Sequence, residues 1–354
     1  MCFAGGAIQQ PRAVQTGSDQ QDSIVQYTIG SGGSGFGLSQ RMRSVGGQPR
    51  TALRVPVATM VLYMIGLGLG DAEDITLKGL RLVQEADLVV LEAYTSVLLS
   101  SPDHDRSVEE TAQHLASEWK LERPIVIAYR DIVEQQAEEI ILEPAKEKKV
   151  AFLVVGDPVC ATTHTDLWLR CQEQGIECHT IHNASIMGAA GACGLQLYTF
   201  GHTVSIPFFE DDWRPLSFYP KIKYNREGGM HTLCLLDIKV REPDFEAMKR
   251  GREKYLPPRY MTIQQAADQL IEAESTSKQQ AYDPVKTLCV GLARMGLPTQ
   301  RIVAGTLQDL SKCDCGGPLH SLVICGGELH DLEWDFVRTF LTPDSTYVHT
   351  KGET

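Results

Sequence analysis

Apolar residues in the first part of the chain fall into short continuous runs, separated by stretches with helical spacing. Residues 61–65 (Val-Leu-Tyr-Met-Ile) form such a run. It predicts a strand covered on both faces, because a half-exposed strand would alternate apolar and polar positions. The run ends in Gly66, Gly68 and Gly70, followed by Asp71. From Thr76 a helix is predicted, with Leu77, Leu80, Val83 and Ala86 on one face. Residues 88–91, 124–129 and 150–155 repeat the strand signal. Ser107 with Glu110 predicts a capping box, and Asp131 with Glu134 a second helix start of the same kind. Residues 60–160 therefore read as βαβαβαβ, an N-terminal α/β domain with a mostly parallel sheet.

Residues 161–182 read as a connecting segment, with a helix at 165–174 closed by Gly175 and a strand at 176–181. The character then shifts. Over 183–342 the pattern predicts a helix opening near Ser185 and strands at 203–208, 233–238, 288–293 and 322–324. A longer helix starts at Thr262, capped with Gln265, and a terminal helix covers 329–341. A second α/β domain with a mixed sheet is expected, followed by a tail at 343–354. Residues 1–59 show no periodicity and are rich in Gly, Ser and Gln. They read as a disordered N-terminal extension. Their five arginines against Asp19 and Asp22 give a weaker match to a transit peptide.

The net charge of −12 disfavours direct nucleic-acid binding. No apolar run approaches the ~18 residues of a membrane span. Ten cysteines sit mostly in apolar segments with no secretory signal, so reduced thiols and a cytoplasmic location are expected. Cys313 and Cys315 form the one close pair and lack the further ligands of a zinc site, so no metal is expected.

Ligands of open parallel sheets bind beyond the carboxyl ends of the strands. Three marked strand ends, 66–71, 156–160 and 182–186, are placed to converge there, with Leu236 and Met295 arriving from the second domain. The glycine run is a poor dinucleotide fingerprint. Its third glycine comes one residue early, and Asp71 follows where an anion-binding turn would disfavour a carboxylate. Asp157 reads either as turn chemistry before Pro158 or as an acidic partner for a cationic ligand. His164, His182, His231 and His320 read as structural hydrogen-bonding groups, and no catalytic base is assigned. The loop at 211–214 reads as solvated, with contact to an acceptor as the alternative.

The segment Gly-Leu-Gly-Leu-Gly-Asp-Ala-Glu-Asp-Ile-Thr (66–76) resembles the N-terminal motif of the tetrapyrrole methylase superfamily. Within it, Leu-Glu-Ala-Tyr-Thr-Ser-Val-Leu (91–98), Val-Val-Gly-Asp-Pro (154–158), His-Asn-Ala-Ser-Ile-Met (182–187) and Pro-Pro-Arg-Tyr-Met (257–261) resemble the diphthine synthase family. The resemblance runs in order from about residue 60 to 342, and Met60 stands where the family's own start would fall. It implies two α/β domains with S-adenosyl-L-methionine in the cleft between them. The cofactor contacts it implies are Leu69, Asp157, Cys160, Ser185, Ile186, Leu236, Met295 and His320, several through the main chain. Relatives commonly carry Gly, Val or Ala where this chain has Cys160 and Met295. The resemblance also implies a homodimer. The acceptor it implies is the modified histidine of translation elongation factor 2, in diphthamide biosynthesis. Four methyl transfers, giving diphthine methyl ester, are expected. The alternatives are a methyltransferase acting on a tetrapyrrole precursor and a non-catalytic scaffold that binds the cofactor.

Overall fold

The computed structural model describes residues 60–94, 98, 107–252 and 254–349. The N-terminal extension at 1–59, positions 95–97 of the second motif and the end of the tail at 350–354 lie outside the described residues. In the first lobe, β1 (Val61–Gly66), β2 (Leu88–Glu92), β3 (Val126–Ala128), β4 (Lys149–Val154) and β5 (Glu177–Ile181) form one sheet. All its pairings are parallel, in the order β3-β2-β4-β1-β5. β1 and β4 are sheathed on both faces. Ile65 and Leu153 join one apolar cluster, and Met64 and Phe152 join the other. This is why both strands read as unbroken apolar runs.

The segment 161–182 does more than connect. Its helix, Thr165–Glu173, buries Leu167 and Cys171 against the cluster that holds Phe152. Its strand β5 pairs with β1 as the sheet edge. Glu177 at its start is exposed and Ile181 at its end is buried, as befits an edge strand.

The second lobe is built on β6 (Val204–Ile206), β7 (Thr232–Leu236), a small separate pair β8 (Ile238–Lys239) and β9 (Arg259–Tyr260), then β10 (Cys289–Ala293), β11 (Arg301–Gly305) and β12 (His320–Ile324). The main sheet runs β11-β10-β12-β7-β6, antiparallel except for the parallel pair β6–β7. The helix Ile263–Ser277 covers one face, with Ile263, Ala266, Ala267 and Leu270 inward, and the Thr262–Gln265 capping box opens it.

Four local departures have physical causes. The helix Leu77–Glu85 turns Gly79 and Val83 inward and leaves Leu77 exposed, because Gly79 lets the helix lie close against Ile65. No capping box forms at Asp131: the N-cap of the helix Arg130–Gln135 is Tyr129, two residues earlier, and Glu134 pairs with Arg130 at 3.6 Å. The helix Tyr219–Glu227 has no apolar stripe because a polar residue, Asn225, fills an inward position. That side chain accepts from His202 N and donates to His202 O and Thr232 Oγ1. β11 opens on the exposed Arg301 and closes on Gly305, so it does not stand out as an apolar run.

Candidate active site between the lobes

The glycine turn after β1 is held by a few specific hydrogen bonds. Gly68 takes φ +80° and exchanges two backbone bonds with Gly156, at 3.2 and 2.7 Å. Asp74 accepts from Gly70 N at 2.7 Å and from Leu69 N at 3.3 Å, curling the Leu69 segment over the sheet edge. Asn183 Nδ2 donates to Gly66 O and Asp74 O, both at 2.9 Å. The ends of β1, β4 and β5 are thereby tied into one platform. The second lobe meets it directly: an added Cβ on Gly70 would lie 2.9 Å from Gly296 O, so the two loops pass at backbone contact.

Beside this contact lies a cavity with about 890 Å³ of empty space, including its open mouth. Leu69, Cys160, Ser185, Ile186, Leu236, Met295 and His320 all line it. The eighth expected residue, Asp157, is placed differently. Its carboxylate, buried behind the wall, accepts from Val159 N (3.0 Å), Asn183 N (3.1 Å) and His182 Nδ1 (2.8 Å). Burial pushes its pKa up, but the three hydrogen bonds outweigh that and hold it below the usual range. Asp157 thus fixes the loop that presents Gly156 and Cys160.

His320 is equally fixed. Nδ1 accepts from Ile263 N at 3.1 Å, and Nε2 donates to Gly317 O at 2.8 Å. Burial lowers its pKa to about 4, so the ring is neutral and has no free lone pair to act as a base. Cys160 is not activated either; burial pushes its thiol up. Arg294 was not singled out by the sequence reading, yet it lines the cavity while largely buried. Its guanidinium donates to the carbonyls of Thr299, Cys315 and Gly317, bracing the loop before His320. The signal available was a lone charge closing the apolar run of β10.

The cavity suits S-adenosylmethionine. Leu69, Ile186, Leu236 and Met295 give apolar walls for an adenine, and Thr162, Ser185 and Ser321 give polar edges. Gly156 faces the space as bare main chain, and the nearest atom to an added Cβ is 3.9 Å away, so a side chain there would occupy the cavity.

A family model of the Tetrapyrrole (Corrin/Porphyrin) Methylases matches residues 61–311. The chain belongs to the tetrapyrrole methylase family. Like other members, it is an S-adenosylmethionine-dependent methyltransferase. Within the family it is 53% identical over 289 residues to the diphthine methyl ester synthase of Bos taurus, covering 81% of this chain and 97% of that one. It is 52% identical over 281 residues to diphthine methyl ester synthase 2 of Candida albicans, covering 79% and 90%. A crystal structure of a diphthine synthase superposes with a TM-score of 0.66 at 32% identity, covering 81% of this tetrapyrrole methylase and 98% of that chain.

Proposed function

We propose that this methyltransferase of diphthamide biosynthesis acts on the modified histidine of translation elongation factor 2. It adds four methyl groups, three to the amine and one to the carboxylate. The observation that carries this reading is the 53% identity to a diphthine methyl ester synthase across 97% of that protein's length. The seven lining residues are proposed as the cofactor's contacts, and Asp157 as the support beneath them. Bound S-adenosylmethionine supplies an electrophilic methyl group on a sulfonium with a good leaving group. The protein's part is alignment. The Gly68–Gly156 bridge and the Asp74 carboxylate hold the main chain of the platform still, and His320 presents a neutral ring that takes no proton from the acceptor.

A homodimer is also proposed. Leu197, Tyr198, Leu332 and Phe336 remain exposed, and Leu197 and Phe336 both pack beside the segment around Gly191 and Gly194, giving an apolar surface for a second copy. The nine described cysteines are free thiols, which supports a reducing, cytoplasmic setting.

The test is incubation with labelled cofactor and elongation factor 2 carrying the aminocarboxypropyl histidine, with a precorrin in a parallel reaction. Mass spectrometry is expected to find four added methyls on the factor and none on the precorrin. Label on the precorrin alone would transfer the protein to the tetrapyrrole branch. Cofactor binding with no label on either acceptor would leave a scaffold.

A further inference from the structure

A second cavity opens on the far side of Ile238, the one residue that lines both spaces. It holds about 1070 Å³ of empty space including its mouth, and both lobes build it. Tyr94, Tyr129 and Arg130 come from the first lobe, and Arg241 and Tyr255 from the second. The Arg241 guanidinium lies against two phenol rings, 4.6 Å from the centre of Tyr129 and 4.0 Å from that of Tyr255. Arg130 lies 5.2 Å over Tyr94. Three aromatic faces in one cavity are thus already disposed around cations. Carboxylates share the wall: Asp131 is 3.7 Å from Arg241, and Glu134 is 3.6 Å from Arg130.

These surroundings select a particular chemistry. Aromatic faces favour a positive charge whose hydration is weak, a quaternary ammonium above all. Guanidiniums favour a carboxylate. The Arg241–Asp131 pair is long and half-exposed and adds little to hold Arg241, so the contacts to be replaced are those with the two rings, which an arriving ammonium takes over.

We propose that this cavity receives the acceptor's amino-acid end: Tyr129 and Tyr255 hold its nitrogen where the Arg241 guanidinium now lies, and the displaced Arg241, with Arg130, pairs with its carboxylate. The proposal rests on the acceptor assigned above. Each transfer takes place at the donor, across Ile238, and the amine returns to the rings between transfers: the amine's lone pair forms an N–C bond as the donor's S–C bond breaks, and that bond's electron pair goes to sulfur. The new ammonium loses a proton to solvent at the open mouth before the next transfer. After the third it has none to lose, and its fixed charge suits the ring pair best. Tyr129 and Tyr255 are therefore positioning residues that retain the partly methylated acceptor between transfers.

The experiment uses the full chain with cofactor bound, and carnitine, a trimethylammonium carboxylate, as a probe of the cavity. Carnitine is expected to bind the wild type and to bind Tyr255→Leu and Tyr129→Leu about tenfold more weakly. Tyr129→Phe, which keeps the ring, restores binding. Cofactor affinity, measured by calorimetry, should stay within twofold in all three, which also reports that they fold. With elongation factor 2 the leucine variants should raise KM and release mono- and dimethylated product. If carnitine fails to bind, or binds wild type and leucine variants alike, the proposal is overturned. If carnitine binding depends on the rings but the factor is not methylated by wild type, the acceptor assignment falls and the ammonium site stands.

Discussion

Asp157 precedes a proline in a tight turn, so the local sequence accounts for it without any ligand. Its environment assigns it more: two backbone N–H groups and a histidine converge on one buried carboxylate. Replacing it by alanine strands the donors of Val159 and Asn183, and each buried unpaired donor costs about 1–3 kcal/mol. Asp157→Ala is therefore expected to lower the urea unfolding midpoint and, by loosening the loop that carries Gly156 and Cys160, to weaken cofactor binding in a calorimetric titration. The carboxylate's pKa is depressed, so its stabilisation is complete above the ordinary value of 3.8 and disappears as pH falls below that. An alanine variant with wild-type affinity would mean that the loop keeps its shape without this residue.

The turn between β1 and the following helix is where an element depends most on one backbone conformation. Gly68 sits at φ +80°, and a Cβ there would lie 2.7 Å from the Cβ of Asp74, whose carboxylate holds Leu69 and Gly70. Positive φ alone costs a residue with a side chain about 1–2 kcal/mol. Gly68→Val is expected to lower the melting temperature and to abolish cofactor binding, with Gly68→Ala intermediate. Unchanged affinity in either would reduce the glycine to a turn residue. This element was legible in the sequence because its signals are local: an apolar run, spaced glycines and a helical pattern opening at Thr76. The Ser107 and Thr262 capping boxes were legible for the same reason, and both form. Asp131 with Glu134 has the same spacing and forms none, because Tyr129 is already the N-cap, its carbonyl accepting from Val133 N, so Asp131 lies inside the first turn and Glu134 pairs with Arg130. What local pattern could not reveal was made by tertiary contact. Asn225 looks polar yet faces the core, and Arg294 looks like a strand-end charge yet braces a loop that follows it by some twenty residues. Tyr129 and Tyr255 gain their joint meaning only from the meeting of two lobes.

At the scale of the whole molecule, the interior histidines make stability depend on pH. His164 is fully enclosed, with the edge of Phe152 and the hydroxyl of Tyr94 as neighbours, 3.5 Å separating that hydroxyl from Nε2. His320 is enclosed between Ile263 N, Gly317 O and the Arg294 guanidinium. Burial is the leading cause in both, and it lowers each pKa from 6.5 to about 4. Between those two values the unfolded chain takes up protons that the folded chain refuses, so unfolding becomes easier as pH falls through that window. Each such group contributes a slope of up to about 1.4 kcal/mol per pH unit. Carboxylates with depressed pKa, such as Asp157 and Asp309, act only below about pH 4 and leave this window to the histidines. Urea unfolding at pH 7 and at pH 5 is expected to show a clear loss of stability in the wild type. His164→Gln, a change outside the cofactor cavity, should lessen that loss by removing one of the three buried rings whose pKa burial lowers, His164, His231 and His320. A wild-type stability that stays flat from pH 7 to pH 5 would mean that these rings take up protons in the folded state. The neutral His320 on which the cofactor cavity depends would then have to be abandoned.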